Sequence, residues 1–401
     1  MFSYLNQNTK KSVSYGAAAR WLLNLMAYDD ASLKPTNKKT DGSKMDSAKV
    51  GWLGRIGLTY IVGNNLFETL MLNMVLANRS GKLFQPGEPV WEKNHVSMEE
   101  RVSVPIPNNP FDLLTVQSRR VKLIREDGRV TGYIETVGDQ FPDACQNIEM
   151  MSAWKQNKEG ELKPLKHTNF RKSIWNDYAS LVMKSESDQR PGVIDWCNEL
   201  KDHGIISNKF LNIAVTGVSY LGGSIPSGID EVFHDSMSVN SNLLSTIGKG
   251  WNIRISEAVD KTDICMRDYK LFLKDILILS GIAEGNDDVI NSQIESRTAE
   301  IYRSLDLPFR KWLHSIDPEI SDMDEKSIGW FGTLRTIMIQ SAKDALYDVN
   351  PRSYVGICGY EEKKIVKKLE SDFKTSTIFH FKMFVAKIYK TLPKERLEET
   401  E

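Results

Sequence analysis

Few residues of this 401-residue chain could do covalent chemistry. Asp230 and Glu231, with His234 shortly after, come nearest to an acid–base or metal cluster. An acidic pair also opens helices, because the N-terminal end of the helix dipole favours negative charge, and that is the preferred reading here. His95, His167, His203, His234, His314 and His380 are scattered, without HExxH or comparable ligand spacing. Cys145, Cys197, Cys265 and Cys358 form no CxxC pair, which speaks against a structural zinc site and a disulfide framework. Neither GxGxxG nor GxxxxGK[ST] occurs, so nucleotide-dependent chemistry has no signature. No catalytic residue, metal or cofactor is expected.

Basic clusters are the other candidates: Arg119-Arg120-Lys122, Lys163 with Lys166, Arg171-Lys172 and Lys363-Lys364-Lys367-Lys368. Lysine and arginine meet phosphates whatever the base sequence, yet each cluster also reads as a solvated face. The last is flanked by Glu361, Glu362 and Glu370, enough for ordinary helix ion pairs. A formal net charge of −1 offers no global attraction, so any nucleic-acid contact has to come from a local patch. With 41% hydrophobic and 26% charged residues the chain is of the soluble globular class. Its length allows two or three domains with real cores. Without a secretory signal or a membrane-length apolar run, the expected compartment is the cytoplasm.

The elements that would hold these residues divide near position 240. Before it, 15–29 reads as a helix with Ala17, Ala18, Trp21, Leu22, Leu25 and Met26 supplying an apolar face. A polar stretch, 31–49, carries five lysines and turn chemistry at Asp41-Gly42. A functional loop and a solvated linker are equally open for it. Then Gly57 to Val62 reads as a strand, and Asn65 with Glu68 forms a capping box for a helix over 66–77. That segment is apolar almost all round, which predicts a buried helix at the centre of the first half, ending near Gly81. Strands at 121–125 and 130–137 flank Asp127-Gly128 as a hairpin, and a second hairpin spans 151–162. A helix is expected over 191–203, and a buried strand over 210–218 that leads into a glycine-rich loop, 220–231. After 240, amphipathic stretches at 268–279, 293–314, 329–347 and 376–392 predict an antiparallel four-helix bundle, with Pro308 kinking the second. The expected class is α+β: a mixed domain, 1–239, and a bundle domain, 240–401.

In order along the chain, AAARWLLNLMAYDD, VGWLGRIG, GNNLFETLMLN, EPVWEK, FDLLTVQSRRVKL, GRVTGY, DEVFHD and IYRSLDLPFRKWL resemble the CasA family. That family is the large subunit of the type I-E CRISPR surveillance complex, Cascade. The resemblance implies a non-enzymatic protein that binds a double-stranded DNA target, recognises its PAM through the minor groove and starts strand separation. It also implies partners: guide-RNA-bound Cascade subunits and a helicase–nuclease, with no membrane. The alternative is a structural scaffold with no DNA readout of its own. Such a division of labour leaves the long sequence to base pairing and a short, deformable duplex to the protein.

Two family elements map onto this chain. The glycine-rich loop after the first helix corresponds to 31–49, where Lys38, Lys39, Gly42, Ser43 and Lys44 are the candidate DNA contacts. Arg119, Arg120, Arg171 and Lys172 are added from the basic clusters. The wedge loop before a DEVF-like helix corresponds to Gly222, Gly223, Ser224, Ile225 and Pro226. Ile225 and Pro226 there can enter between base pairs, while no glutamine is present. The family also has sequence before the first helix that this chain is expected to lack.

Overall fold

The computed structural model describes residues 12–32, 34, 48–94, 106–139, 141, 144–166, 172–185, 187–222, 227–280, 287–355 and 376–393. It forms two compact units. The first comprises 1–170 and 180–236, the second 171–179 and 237–401. The class is α+β, with strands confined largely to the first unit.

The first unit begins with α1 (Tyr15–Tyr28), capped by Ser14 and stopped at Asp29, whose amide donates to the Leu25 carbonyl. Strand β1 (Leu58–Val62) is followed by α2 (Leu66–Leu72) and α3 (Pro110–Leu114). A hairpin of β2 (Arg119–Glu126) and β3 (Arg129–Val137) turns at Asp127 and Gly128. Both have positive φ, 47° and 72°, as a tight two-residue hairpin turn requires. A short pair, β4 (Trp154–Gln156) and β5 (Leu162–Pro164), precedes α4 (Tyr178–Val182) and α5 (Gly192–Asp202). Two long strands follow, β6 (Phe210–Leu221) and β7 (Ser227–Asn240). The main sheet runs β1-β6-β7, with β1 antiparallel to β6 and Ile61 opposite Ile213. A core of Trp52, Ile56, Leu113, Phe141, Cys145, Ile148 and Trp154 lies in this unit, Trp52 and Phe141 meeting ring to ring at 4.7 Å.

The helix expected over 66–77 is shorter and differently placed. It ends at Leu72, the one buried residue in it, while Leu66 is 73% and Phe67 71% exposed. Asn73 is the reason. Its side chain accepts from the Ile61 amide at 2.9 Å and donates to the Ile61 carbonyl at 2.7 Å, standing in for a strand partner along the outer edge of β1. A side chain satisfying another element's backbone competes with helix continuation. The capping reading at Asn65 holds, its Oδ1 accepting from the Glu68 amide at 2.9 Å. Gly81, at φ 77°, closes a turn built on Asn78 rather than a helix.

The second unit is the expected bundle. It contains α6 (Lys249–Leu279), α7 (Asp287–His314), α8 (Met323–Tyr347), a short α9 (Arg352–Val355) and α10 (Thr377–Thr391). Tyr269, Phe272, Leu273, Ile276 and Leu279 are all buried, as the 3.6-residue period of α6 demands. Helix α7 continues through Pro308 without a break. Trp175 stacks on Phe309 at 4.2 Å, and Trp330 meets the same ring edge-on at 4.9 Å. No helix among the described residues is long and apolar enough to cross a membrane.

Candidate nucleic-acid interface

Lys38, Lys39, Gly42, Ser43 and Lys44 lie outside the described residues, as do Arg171, Gly223, Ser224, Ile225 and Pro226. The stems from which both segments spring are described, and they converge in the first unit. Helix α1 delivers Asp29 and Asp30 to the start of 31–49. Gly51 brings the chain back, its amide donating to the Asp29 carbonyl at 2.8 Å. A Cβ at position 51 would sit 2.5 Å from the Ala27 backbone, so only glycine permits this return.

Arg119 closes the stem. Its Nη2 donates to the Asp30 carbonyl at 2.7 Å and to the Lys49 carbonyl at 2.9 Å, joining the two ends of 31–49. Its Nε meets Asp29 at 2.6 Å and lies 3.5 Å from Glu135. With no exposed surface, Arg119 cannot reach a phosphate, which corrects the expectation from its basic cluster. Arg120 is similarly committed. Its Nη2 lies 2.8 Å from both oxygens of Asp139, and little of the side chain is exposed. Lys172, in the second unit, pairs with Asp263 at 2.9 Å and lies over the Tyr302 ring. A solvated-face reading underestimated all three, because their carboxylate partners are distant in sequence.

Lys34 completes the charge cluster, 3.1 Å from Asp29 and 3.2 Å from Asp30. Burial opposes its charge, but the two carboxylates outweigh that and raise its pKa. Burial also works against ionisation of Asp30. Hydrogen bonds from Ser32, the Gly228 amide and Lys34 prevail and hold its carboxyl well below the usual carboxylate range. Glu135 is pushed the other way, by burial and then by the Asp29 charge.

The second stem lies at the ends of β6 and β7. Gly222 has φ 92° and Gly228 φ 69°, conformations that suit glycine. Asp230, Glu231 and His234 stand on β7, which corrects the helix opening expected there. Pairing with the twelve-residue β6 overrides a local signal that acids at a segment's start normally carry. Asp230 lies 3.5 Å from the Ser219 hydroxyl, while His234 stacks on Tyr60 and meets Thr216 at 3.3 Å. Among the described residues no group of three His, Cys, Asp or Glu is placed to hold a metal ion.

The residues that organise this region, Asp29, Asp30, Lys34 and Tyr220, were not singled out from the sequence. One signal was available. Two acids at a helix C-terminus oppose the dipole, which implies a cation brought from elsewhere to meet them.

The family model described as CRISPR-associated protein Cse1 matches residues 2–341. The chain belongs to the Cse1 family. The earlier resemblance to CasA is therefore borne out. Thermobifida fusca Cse1 superposes with a TM-score of 0.76 at 22% identity, over 98% of this chain and 74% of that one. Thermus thermophilus CasA (Cse1) gives a TM-score of 0.65 at 17% identity, over 96% and 72%. A chain of a CRISPR RNA-guided surveillance complex gives 0.64 at 14% identity, over 94% and 69%. No curated protein matches this Cse1-family chain by sequence.

Proposed function

We propose that this Cse1-family chain is the non-catalytic large subunit of a type I-E guide-RNA complex, reading the PAM duplex and starting target opening. In this reading 31–49 approaches the duplex, with Lys38, Lys39 and Lys44 against phosphates and Gly42 and Ser43 at the backbone. Arg171 adds a further cation. Residues 222–226 act as the wedge, and the chain offers a docking surface to the helicase–nuclease. The observation that carries it is the convergence of two loop stems at one place, in a protein whose relatives include a chain of an RNA-guided surveillance complex. Two segments whose stems adjoin can grip a duplex and pry at it, a task that needs deformation rather than covalent chemistry.

The test uses the reconstituted guide-RNA complex. Changing Lys38, Lys39 and Lys44 to Ala should weaken duplex binding and lower the salt slope by up to about 3, roughly one unit per lost phosphate contact. Equal binding before and after removes those lysines from the account. Shortening 221–226 should spare folding and abolish permanganate reactivity of the target strand; normal reactivity refutes the wedge.

A structural scaffold is the second reading. It is favoured by the neutralisation of Arg119, Arg120 and Lys172 in ion pairs and by the apolar strip that α2 exposes. Co-purification with guide-bound subunits, without preference for any flanking motif, would select it.

A further inference from the structure

The three-stranded sheet of the first unit has two edges, and they are finished differently. Along β1 the Asn73 side chain takes the Ile61 amide and carbonyl. Strand β7 has β6 on one side and, among the described residues, no strand on the other. It is the longest described strand, 14 residues without proline, lysine or arginine, the residues that commonly blunt an edge. Gly228 gives its amide to Asp30 Oδ2 at 2.6 Å. From 229 to 232 no backbone group is bonded outside the β6–β7 pair among the described residues, the Glu231 amide reaching the Ser219 hydroxyl at 3.2 Å. Ile229, Asp230, Glu231 and Val232 are all exposed, Val232 by 58%.

An open edge is a template for another strand, and side-chain charge decides which strands it accepts. Alternation along β7 puts Asp230 and Val232 on one face, Ile229 and Glu231 on the other. Neither acid forms an ion pair with a described residue, and the Ser219 hydroxyl, 3.5 Å from Asp230, carries no charge. A second copy of this stretch laid against the edge would bring carboxylate against carboxylate, a destabilising cross-strand pairing. Duplex phosphates meet the same repulsion. A polypeptide strand with two adjacent basic residues flanked by apolar ones meets neither obstacle. Its basic side chains fall opposite Asp230 and Glu231, one on each face, and its apolar ones opposite Ile229 and Val232. The pattern reads the same in both directions, so it fits the edge parallel or antiparallel.

We infer that residues 229–232 of β7 are a docking edge for an extended, basic segment of a partner protein, which adds to the sheet as a further strand. Main-chain bonds along the edge supply affinity that is indifferent to sequence, and the two carboxylates supply the choice of partner. This edge and its charge are present whether or not the chain reads a duplex, so the inference stands apart from the function proposed above.

The experiment titrates the full chain with a fluorescent peptide, Thr-Val-Lys-Lys-Val-Thr, blocked at both ends, and reads anisotropy and amide hydrogen exchange. Three other probes are the same peptide N-methylated at every residue, its Glu-Glu counterpart and a short duplex DNA. The lysine peptide should bind and slow exchange within 229–232 by about threefold or more. N-methylation removes the donors that pair with an edge and should abolish binding. Asp230→Asn combined with Glu231→Gln should weaken the lysine peptide about threefold to tenfold, as expected for two lost surface ion pairs, and leave thermal unfolding unchanged. Should that variant fail to fold, the N-methylated peptide on the parent chain decides. Equal binding of the N-methylated or Glu-Glu peptide overturns the inference, as does no binding of the lysine peptide. Duplex DNA that binds more tightly and protects the same amides would make the edge a nucleic-acid contact instead. Protection that rises with protein concentration, without any probe, would assign it to a second copy.

Discussion

Asp29 accepts the Nε–H of Arg119 at 2.6 Å where the arginine has no exposed surface. Two backbone carbonyls from opposite ends of 31–49 take a second nitrogen of the same guanidinium. Removing it would leave the part-buried Asp29 carboxylate to Lys34 alone and two carbonyls without their donor. Arg119→Ala should therefore cost about 3–5 kcal/mol in denaturant unfolding. Arg119→Lys should recover only part of that, because one ammonium cannot reproduce the planar fork. A loss under about 1 kcal/mol for the alanine variant would show that the stem closes without it.

The exposed strip of α2 predicts the opposite pattern. Phe67→Ser and Leu70→Ser remove apolar surface already in water, so unfolding should change by no more than about 0.5 kcal/mol. Self-association, read by light scattering, should fall in both. A large destabilisation would mean that these side chains are covered.

Glu149 predicts a pH dependence. Burial pushes its carboxyl up, and the Met151 amide, Ser152 and the Arg79 guanidinium pull back only in part. An acid whose pKa is raised on folding binds its proton more tightly in the native state. Its stabilising contribution is full below the unfolded value, about 4.3, and is lost as pH rises through the native one. Between about pH 5 and pH 8, Glu149→Gln should lose less thermal stability than the parent. Equal losses would remove Glu149 from the titration.

In the second unit, Phe309 lies between Trp175 and Trp330. Phe309→Ala should cost about 3–5 kcal/mol through lost burial and an unfilled cavity. It should also expose 171–179 to limited proteolysis, because Trp175 loses its stacking partner. Unchanged cleavage there would show that the Asp306 bond to Trp175 Nε1, 3.0 Å long, suffices alone.

Much of the fold was legible wherever the signal was local. The Asp127-Gly128 turn, the Pro191 start and Gly204 end of α5, and the buried stripe of α6 all follow from conformational preference or helical period. The candidate site was legible only as segments, through ordered motifs. Its working contacts join residues 28–30 to 119, 220 and 228, and no local pattern reports such pairs.

By itself, then, the sequence determined the α+β class with its C-terminal helices and the family, because periodicity and motif order are properties of neighbours along the chain. Only the tertiary structure decided that Arg119 is a buried clamp rather than a phosphate contact, and that the apolar α2 faces outward. Both outcomes depend on what packs against a residue. For Arg119 that is Asp29 and two distant carbonyls, and for α2 it is the edge of β1 and Cys197 of α5, which cover Leu72 but leave Leu66 and Phe67 in water.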